Sequence, residues 1–170
     1  AAVCNWLVPA ELPHAICLSC RTTHKVPPLD RPRNKDRLRE IESAKRRMLH
    51  ALLLIDLPVV PKEDDAMNGV AFDLLESLEG EPRVLTGHAG GLITINVAEA
   101  DDDYREFHRE AMHEPYRTVL GHLRHEIGHY YWDRLIDNTD WLPRFRTLFG
   151  DERADYSEAL RKQYADGPST

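Results

Sequence analysis

Gly121-His122-Leu123-Arg124-His125-Glu126-Ile127-Gly128-His129-Tyr130 is the stretch on which the reading of this chain turns. Residues 125 to 129 match the His-Glu-x-x-His pattern. Four residues are a little more than one helical turn, so His125 and His129 share a face and their imidazoles can converge on a single zinc. Glu126 is offset by one position, outside the ligand set, where it can act as general base on a zinc-activated water. Leu120, Leu123, Ile127 and Leu135 fall opposite the histidines and predict a buried stripe. The segment therefore reads as a helix from Tyr116 to about Ile136, with Pro115 in its first turn. Gly128 costs about 1 kcal/mol against Ala in a helix interior, which fits a close approach of other backbone or of the metal. With 9 histidines and 29 acidic residues in the 170-residue chain, chance alone would produce the pattern at roughly 5% odds. The helical context therefore matters as much as the match.

A catalytic zinc takes three protein ligands and keeps one position open. His122 lies on the same face, since it, His125 and His129 span only about 60° of the helix circumference. It is a candidate third ligand, or else a hydrogen-bonding neighbour or general acid. Asp133 would sit about 12 Å along the axis from His125, too far to share the ion. Asp151, Glu152 and Asp155 on a following segment could fold back, and Asp155 is kept as a candidate. For the oxyanion of the transition state, His122, Tyr116, Tyr130, Tyr131 and Tyr156 are the possible donors, although a buried tyrosine hydroxyl is ordinarily satisfied elsewhere.

Outward from the helix, Arg83–Thr86 and Leu92–Val97 read as two strands joined by the glycine-rich turn Gly87-His88-Ala89-Gly90-Gly91. Val70–Leu75 is a possible further strand. From Asn34 to about Asp56, Leu38, Ile41, Met48, Leu49, Leu52 and Leu53 recur with helical spacing, and Arg37, Arg39, Glu40, Glu42, Arg46 and Arg47 form a face expected to be solvated. Tyr104–Met112 and Asp151–Tyr164 are further predicted helices. Arg21–Arg33, with Pro27, Pro28 and Pro32, is expected to be an extended linker.

The three cysteines, Cys4, Cys17 and Cys20, all fall within the first twenty residues. Cys17-x-x-Cys20 lets two thiolates reach one tetrahedral ion, and Cys4 is half of a second pair. The fourth corner is expected just upstream of Ala1, unless His14 or His24 supplies it. The clustering argues for a structural zinc in a reducing compartment rather than a disulfide scaffold; a redox Cys-x-x-Cys is the alternative, and the absence of a βαβ pattern disfavours it. At 42% hydrophobic and 30% charged, with a formal charge of -7, the chain reads as one globular domain. The charge argues against a nucleic-acid backbone as partner. No apolar run is long enough for a bilayer, and no signal peptide is visible. The chain lacks an initiator Met and so reads as a fragment or a processed product.

The segment Tyr116–Leu135 resembles the bacterial zinc-binding metallopeptidase family that joins an amino-terminal zinc ribbon to a zincin-like domain. So do Cys4-Asn5-Trp6-Leu7-Val8-Pro9, Cys17-x-x-Cys20, Leu85-Thr86-Gly87-His88, Gly91-Leu92-Ile93-Thr94-Ile95-Asn96 and Phe149-Gly150-Asp151-Glu152-Arg153-Ala154-Asp155-Tyr156. The resemblance implies a cytoplasmic zinc peptidase with His125 and His129 as ligands and Glu126 as base. It also implies that the family continues beyond this chain into an acidic, tryptophan-containing helix able to give the third ligand, so the chain is expected to be truncated there. In zincin folds the strand ahead of the motif helix is an edge on which substrate pairs, which assigns Leu92, Thr94 and Asn96 as the substrate edge.

The expectation is thus an α+β zincin-like domain over 34–170, preceded by a partial zinc ribbon and linker over 1–33. Its cofactors would be two Zn2+ ions, one catalytic and one structural, its partner a peptide or protein substrate, its reaction amide hydrolysis. The alternatives are a zinc-stabilised module that binds protein or nucleic acid, and an inactive zincin.

Overall fold

Gly90 and Gly91 both take positive φ, 53° and 80°, the pair of left-handed conformations that a two-residue hairpin turn requires. In the computed structural model, which describes residues 4–111, 116–155, 157–158 and 161–162, this turn joins β3 (Gly87–Ala89) to β4 (Leu92–Asn96). The strands are antiparallel, with Gly87 opposite Thr94 and Ala89 opposite Leu92. A side chain at Gly91 is excluded sterically as well, because its Cβ would lie 2.3 Å from the Gly69 carbonyl oxygen. The hairpin is therefore tighter than the sequence predicts. Gly87–Ala89, read as turn, is the strand, and Arg83–Thr86, read as strand, lies outside the sheet.

Two more strands complete a mixed sheet, β1 (Thr23–Lys25) and β2 (Ala71–Leu75), in the order β1-β2-β4-β3. β1 is parallel to β2 and β2 to β4. This order corrects the substrate-edge assignment of Leu92, Thr94 and Asn96. β4 is an interior strand, paired with β2 from Leu92 to Asn96 on one side and with β3 on the other. Past the end of β3, Asn96 donates from its backbone N–H to Thr86 Oγ1 (3.2 Å) and from Nδ2 to the Val84 carbonyl (3.1 Å). Both ladder faces of β4 are thus occupied, and β1 and β3 are the edges. β1 falls within the predicted linker, so that segment is not a free tether: the Phe72 N–H donates to the Thr22 carbonyl at 2.7 Å.

α1 (Leu18–Arg21) precedes β1, and α2 (Asn34–Leu54) follows it. Leu38, Ile41, Met48 and Leu49 of α2 join Phe72 and Leu74 of β2 and Ile93 and Ile95 of β4 in one buried core. The helix period and the strand period each put these side chains on one face. The polar face of α2 is corrected in part: Arg39, Glu40 and Arg47 are exposed, but Glu42 and Arg46 are buried rather than solvated, together with Lys45. The cause is β1, whose Thr23 hydroxyl donates to Glu42 Oε1 at 2.6 Å and accepts from Lys45 Nζ.

After β4 come a 3-10 turn (Val97–Ala100), α3 (Asp102–Ala111) and α4 (Val119–Leu135). α4 starts at Val119 rather than Tyr116, because Thr118 Oγ1 accepts the Gly121 N–H at 3.0 Å and caps it. Pro115 and Met112 lie outside the described residues. The buried stripe of α4 is Val119, Leu123, Ile127 and Tyr130. Leu120 is half-buried, and Leu135, five residues and about 140° past Tyr130, is exposed.

The chain divides into two units, Ala1–Tyr131 and Trp132–Thr170. In the second, the Trp132 ring meets the Phe145 ring edge-on at 4.7 Å, and Phe145 meets Phe149 at 4.9 Å. Its helix α5 (Leu142–Phe149) was not predicted from sequence, although Pro143 in the first turn is a start signal. Of the helix predicted over Asp151–Tyr164, residues 157–158 and 161–162 are helical and Asp151–Asp155 is not; the remainder lies outside the described residues. Among the described residues no helix is long and apolar enough to cross a membrane.

Candidate functional site

His125 and His129 project from the exposed face of α4, opposite the buried stripe. Their Nε2 atoms stand 3.0 Å apart, with the rings edge-to-face at 4.7 Å. Two nitrogens at Zn–N distances of 2.0–2.1 Å in a tetrahedral site are separated by about 3.3 Å. The pair therefore fits two corners of a zinc without rearrangement of the helix. Glu126, one residue on, is buried at the flank of this face. Gly128 is exposed and a Cβ there would meet nothing among the described residues, so no close backbone approach explains the glycine.

The structure does not bring a third ligand to the pair from the described residues, where the only cluster of three His, Cys, Asp or Glu ligand atoms is Cys4, Cys17 and Cys20. His122 is turned elsewhere. Its Nδ1 lies 3.2 Å from Glu99 Oε2, and the other Glu99 oxygen lies 3.3 Å from Arg117 Nη2. Burial pushes the Glu99 carboxyl up, but His122 and Arg117 outweigh it and hold the group below the usual carboxylate range. Asp155 belongs to the second unit, where its Oδ1 accepts the Glu158 N–H at 3.0 Å.

The tyrosines proposed as oxyanion donors are largely committed. Tyr130 donates to the Asn68 carbonyl and Tyr131 to the Pro58 carbonyl, each at 2.8 Å, and these bonds tie α4 to the 58–68 segment. Tyr116 is exposed ahead of α4, and Tyr156 lies outside the described residues. Sequence reasoning missed Glu99 and Arg117, because their meeting with His122 depends on the chain returning after β4. It also missed His88, whose ring meets Tyr130 edge-on at 6.3 Å and so sets β3 beside α4. His88 Nε2 accepts the Gly91 N–H at 2.9 Å and closes the hairpin turn.

At the amino-terminal end, Cys4 Sγ and Cys17 Sγ are 3.4 Å apart, and all three thiols lie within 4.8 Å of one another. Thiolates on a tetrahedral zinc are spaced about 3.8 Å, so this set fits three corners of one ion. Neither His14 nor His24 joins it; His24 Nδ1 is 2.7 Å from Asp73 Oδ1. Burial, reinforced by the neighbouring Cys17 and Cys4 thiols, pushes the Cys20 thiol up to about 12. Cation at the site would reverse that crowding by accepting the thiolates.

Residues 1–31 match a zinc-ribbon domain family, and residues 34–170 match the family described as "Putative zinc-binding metallo-peptidase". Uncharacterized proteins of Mycobacterium tuberculosis and Mycobacterium bovis are 47% identical over 168 residues, which is 98% of this chain and 49% of theirs. The chain thus spans about half the length of the curated relatives it matches. No solved structure matches it. The paired histidines of α4, the thiol cluster and these matches agree: the chain belongs to the zinc-binding metallopeptidase family and carries an amino-terminal zinc ribbon.

Proposed function

We propose that this chain forms part of a zinc-dependent peptidase that hydrolyses peptide bonds at the exposed face of α4. The observation that carries the reading is the convergence of His125 and His129 Nε2 to 3.0 Å, with the Glu126 carboxylate one residue away. His125 and His129 would hold the zinc, which would supply a Lewis acid for the scissile carbonyl and lower the pKa of water towards roughly 7. Glu126 takes the proton of the attacking water and returns it to the amide nitrogen as the carbon–nitrogen bond breaks. An extended peptide would pair along β3 (Gly87–Ala89), the sheet edge that His88 places next to Tyr130 on α4. Cys4, Cys17 and Cys20 would hold a second, structural zinc.

The test is zinc content per chain, followed by casein hydrolysis. Loss of one zinc in His125→Ala and of one in Cys17→Ala, from a parent holding two, is expected. Glu126→Gln should keep its zinc and lose at least roughly 100-fold in turnover. A parent whose single zinc is unaffected by His125→Ala refutes the α4 site, and a Glu126→Gln variant that digests casein as fast as the parent refutes the base.

A further inference from the structure

Glu99 is 3% exposed in the 3-10 turn after β4, and the chemistry proposed above makes no use of it. Its Oε2 faces His122 Nδ1 at 3.2 Å, both atoms are buried, and neither makes a hydrogen bond among the described residues, so the contact between them is electrostatic. A carboxylate oxygen offers only lone pairs. At that separation the proton is favoured on Nδ1, because the other tautomer sets lone pair against lone pair between two buried atoms. Arg117 at the second carboxylate oxygen favours the ionised form of Glu99, which strengthens the same preference. The His122 side chain is 21% exposed, and with Nδ1 buried that exposure lies on the remainder of the side chain, which includes Nε2. His122 precedes His125 by three residues on the same helix face, the spacing at which side chains are neighbours.

We propose that Glu99 is a positioning residue that fixes His122 as the Nδ1–H tautomer, so that His122 Nε2 accepts a backbone N–H of the peptide substrate beside the His125–His129 pair. The proposal rests on the peptidase reading and deepens it. His122 then serves as a substrate contact rather than a third metal ligand. A locked tautomer presents an acceptor only, so the site recognises an amide N–H at this position and refuses a carbonyl. Arg117 acts one step further back, by balancing the buried carboxylate.

The tautomer is read directly by nitrogen-15 NMR of the histidine rings, with the His122 signals assigned by their loss in His122→Gln. The parent is expected to show a protonated Nδ1 and a bare Nε2 at His122. In Glu99→Gln the amide NH2 can donate to Nδ1, and the pattern should invert. Kinetically, Glu99→Gln and His122→Ala should each raise KM about 5- to 10-fold with kcat within about twofold, the worth of one hydrogen bond made equally in ground and transition states. His122→Gln, which places an acceptor oxygen near the Nε2 position, should recover most of that loss, and zinc content should be unchanged throughout. A protonated Nε2 in the parent overturns the proposal, and that measurement needs no variant to fold. A fall in kcat at constant KM also overturns it. If the tautomer is as expected but the zinc-loaded parent cleaves no peptide, it is the peptidase reading that has failed, and the substrate contact falls with it.

Discussion

Lys45 is fully buried, and its Nζ lies 2.9 Å from Glu42 Oε1, whose side chain is 3% exposed. The Thr23 hydroxyl bridges the two from the edge strand that follows the cysteine cluster. Removing one partner of a buried ion pair typically costs about 3–5 kcal/mol, because the other charge is left stranded, whereas removing both is close to neutral. With no solvent screening at either group, Lys45→Met is expected to cost about 4 kcal/mol. Glu42→Gln keeps an acceptor for Thr23 and should cost about 3 kcal/mol, and the double variant only about 1–2 kcal/mol. The assay is urea denaturation of the zinc-loaded chain, in which about 4 kcal/mol lowers the midpoint by roughly 2 M. Additive losses in the double variant, or a Lys45→Met chain within about 1 kcal/mol of the parent, would refute the reasoning. The pH dependence has a definite sign. Burial pushes the Lys45 ammonium below its ordinary value, with Glu42 opposing. Folding therefore carries a penalty while the lysine is charged, relieved as pH rises through the folded value. Above neutrality the parent should gain stability relative to the double variant, until the unfolded lysine titrates near pKa ~10.4.

Two further tests concern the frame around α4. Asp101 accepts from Arg37, which holds its carboxyl below the usual range, so its stabilisation is present above pKa ~3.9 and is lost as pH falls through the folded value. Asp101→Asn should therefore cost about 1.5–3 kcal/mol at pH 7, a difference that closes as pH falls through the folded value; a difference that persists in acid would assign it to packing instead. Gly128→Ala should raise stability by up to about 1 kcal/mol, since a Cβ meets nothing among the described residues. A destabilised Gly128→Ala chain would show that the glycine answers a contact with other backbone.

What the chain determined by itself is what depends on neighbours in sequence. The helical period alone puts His125 and His129 on one face with Nε2 atoms able to meet, and a two-residue spacer alone brings Cys17 and Cys20 together. The core face of α2 followed from the same periodicity. Tertiary structure decided everything that depends on which distant backbone lies alongside. β4 looked like an edge because strand order is not encoded in a strand's own residues; β2 and β3 take its two sides. Glu42 looked solvated because charge on a helix face normally is, and only the placing of Thr23 against α2 buries it beside Lys45. Glu99 and His122 are 23 positions apart, and no periodic pattern links a 3-10 turn to the first turn of α4. Local geometry places ligands on a face, whereas the partners that orient them are supplied by contacts between segments, whose energies appear only once the core has closed.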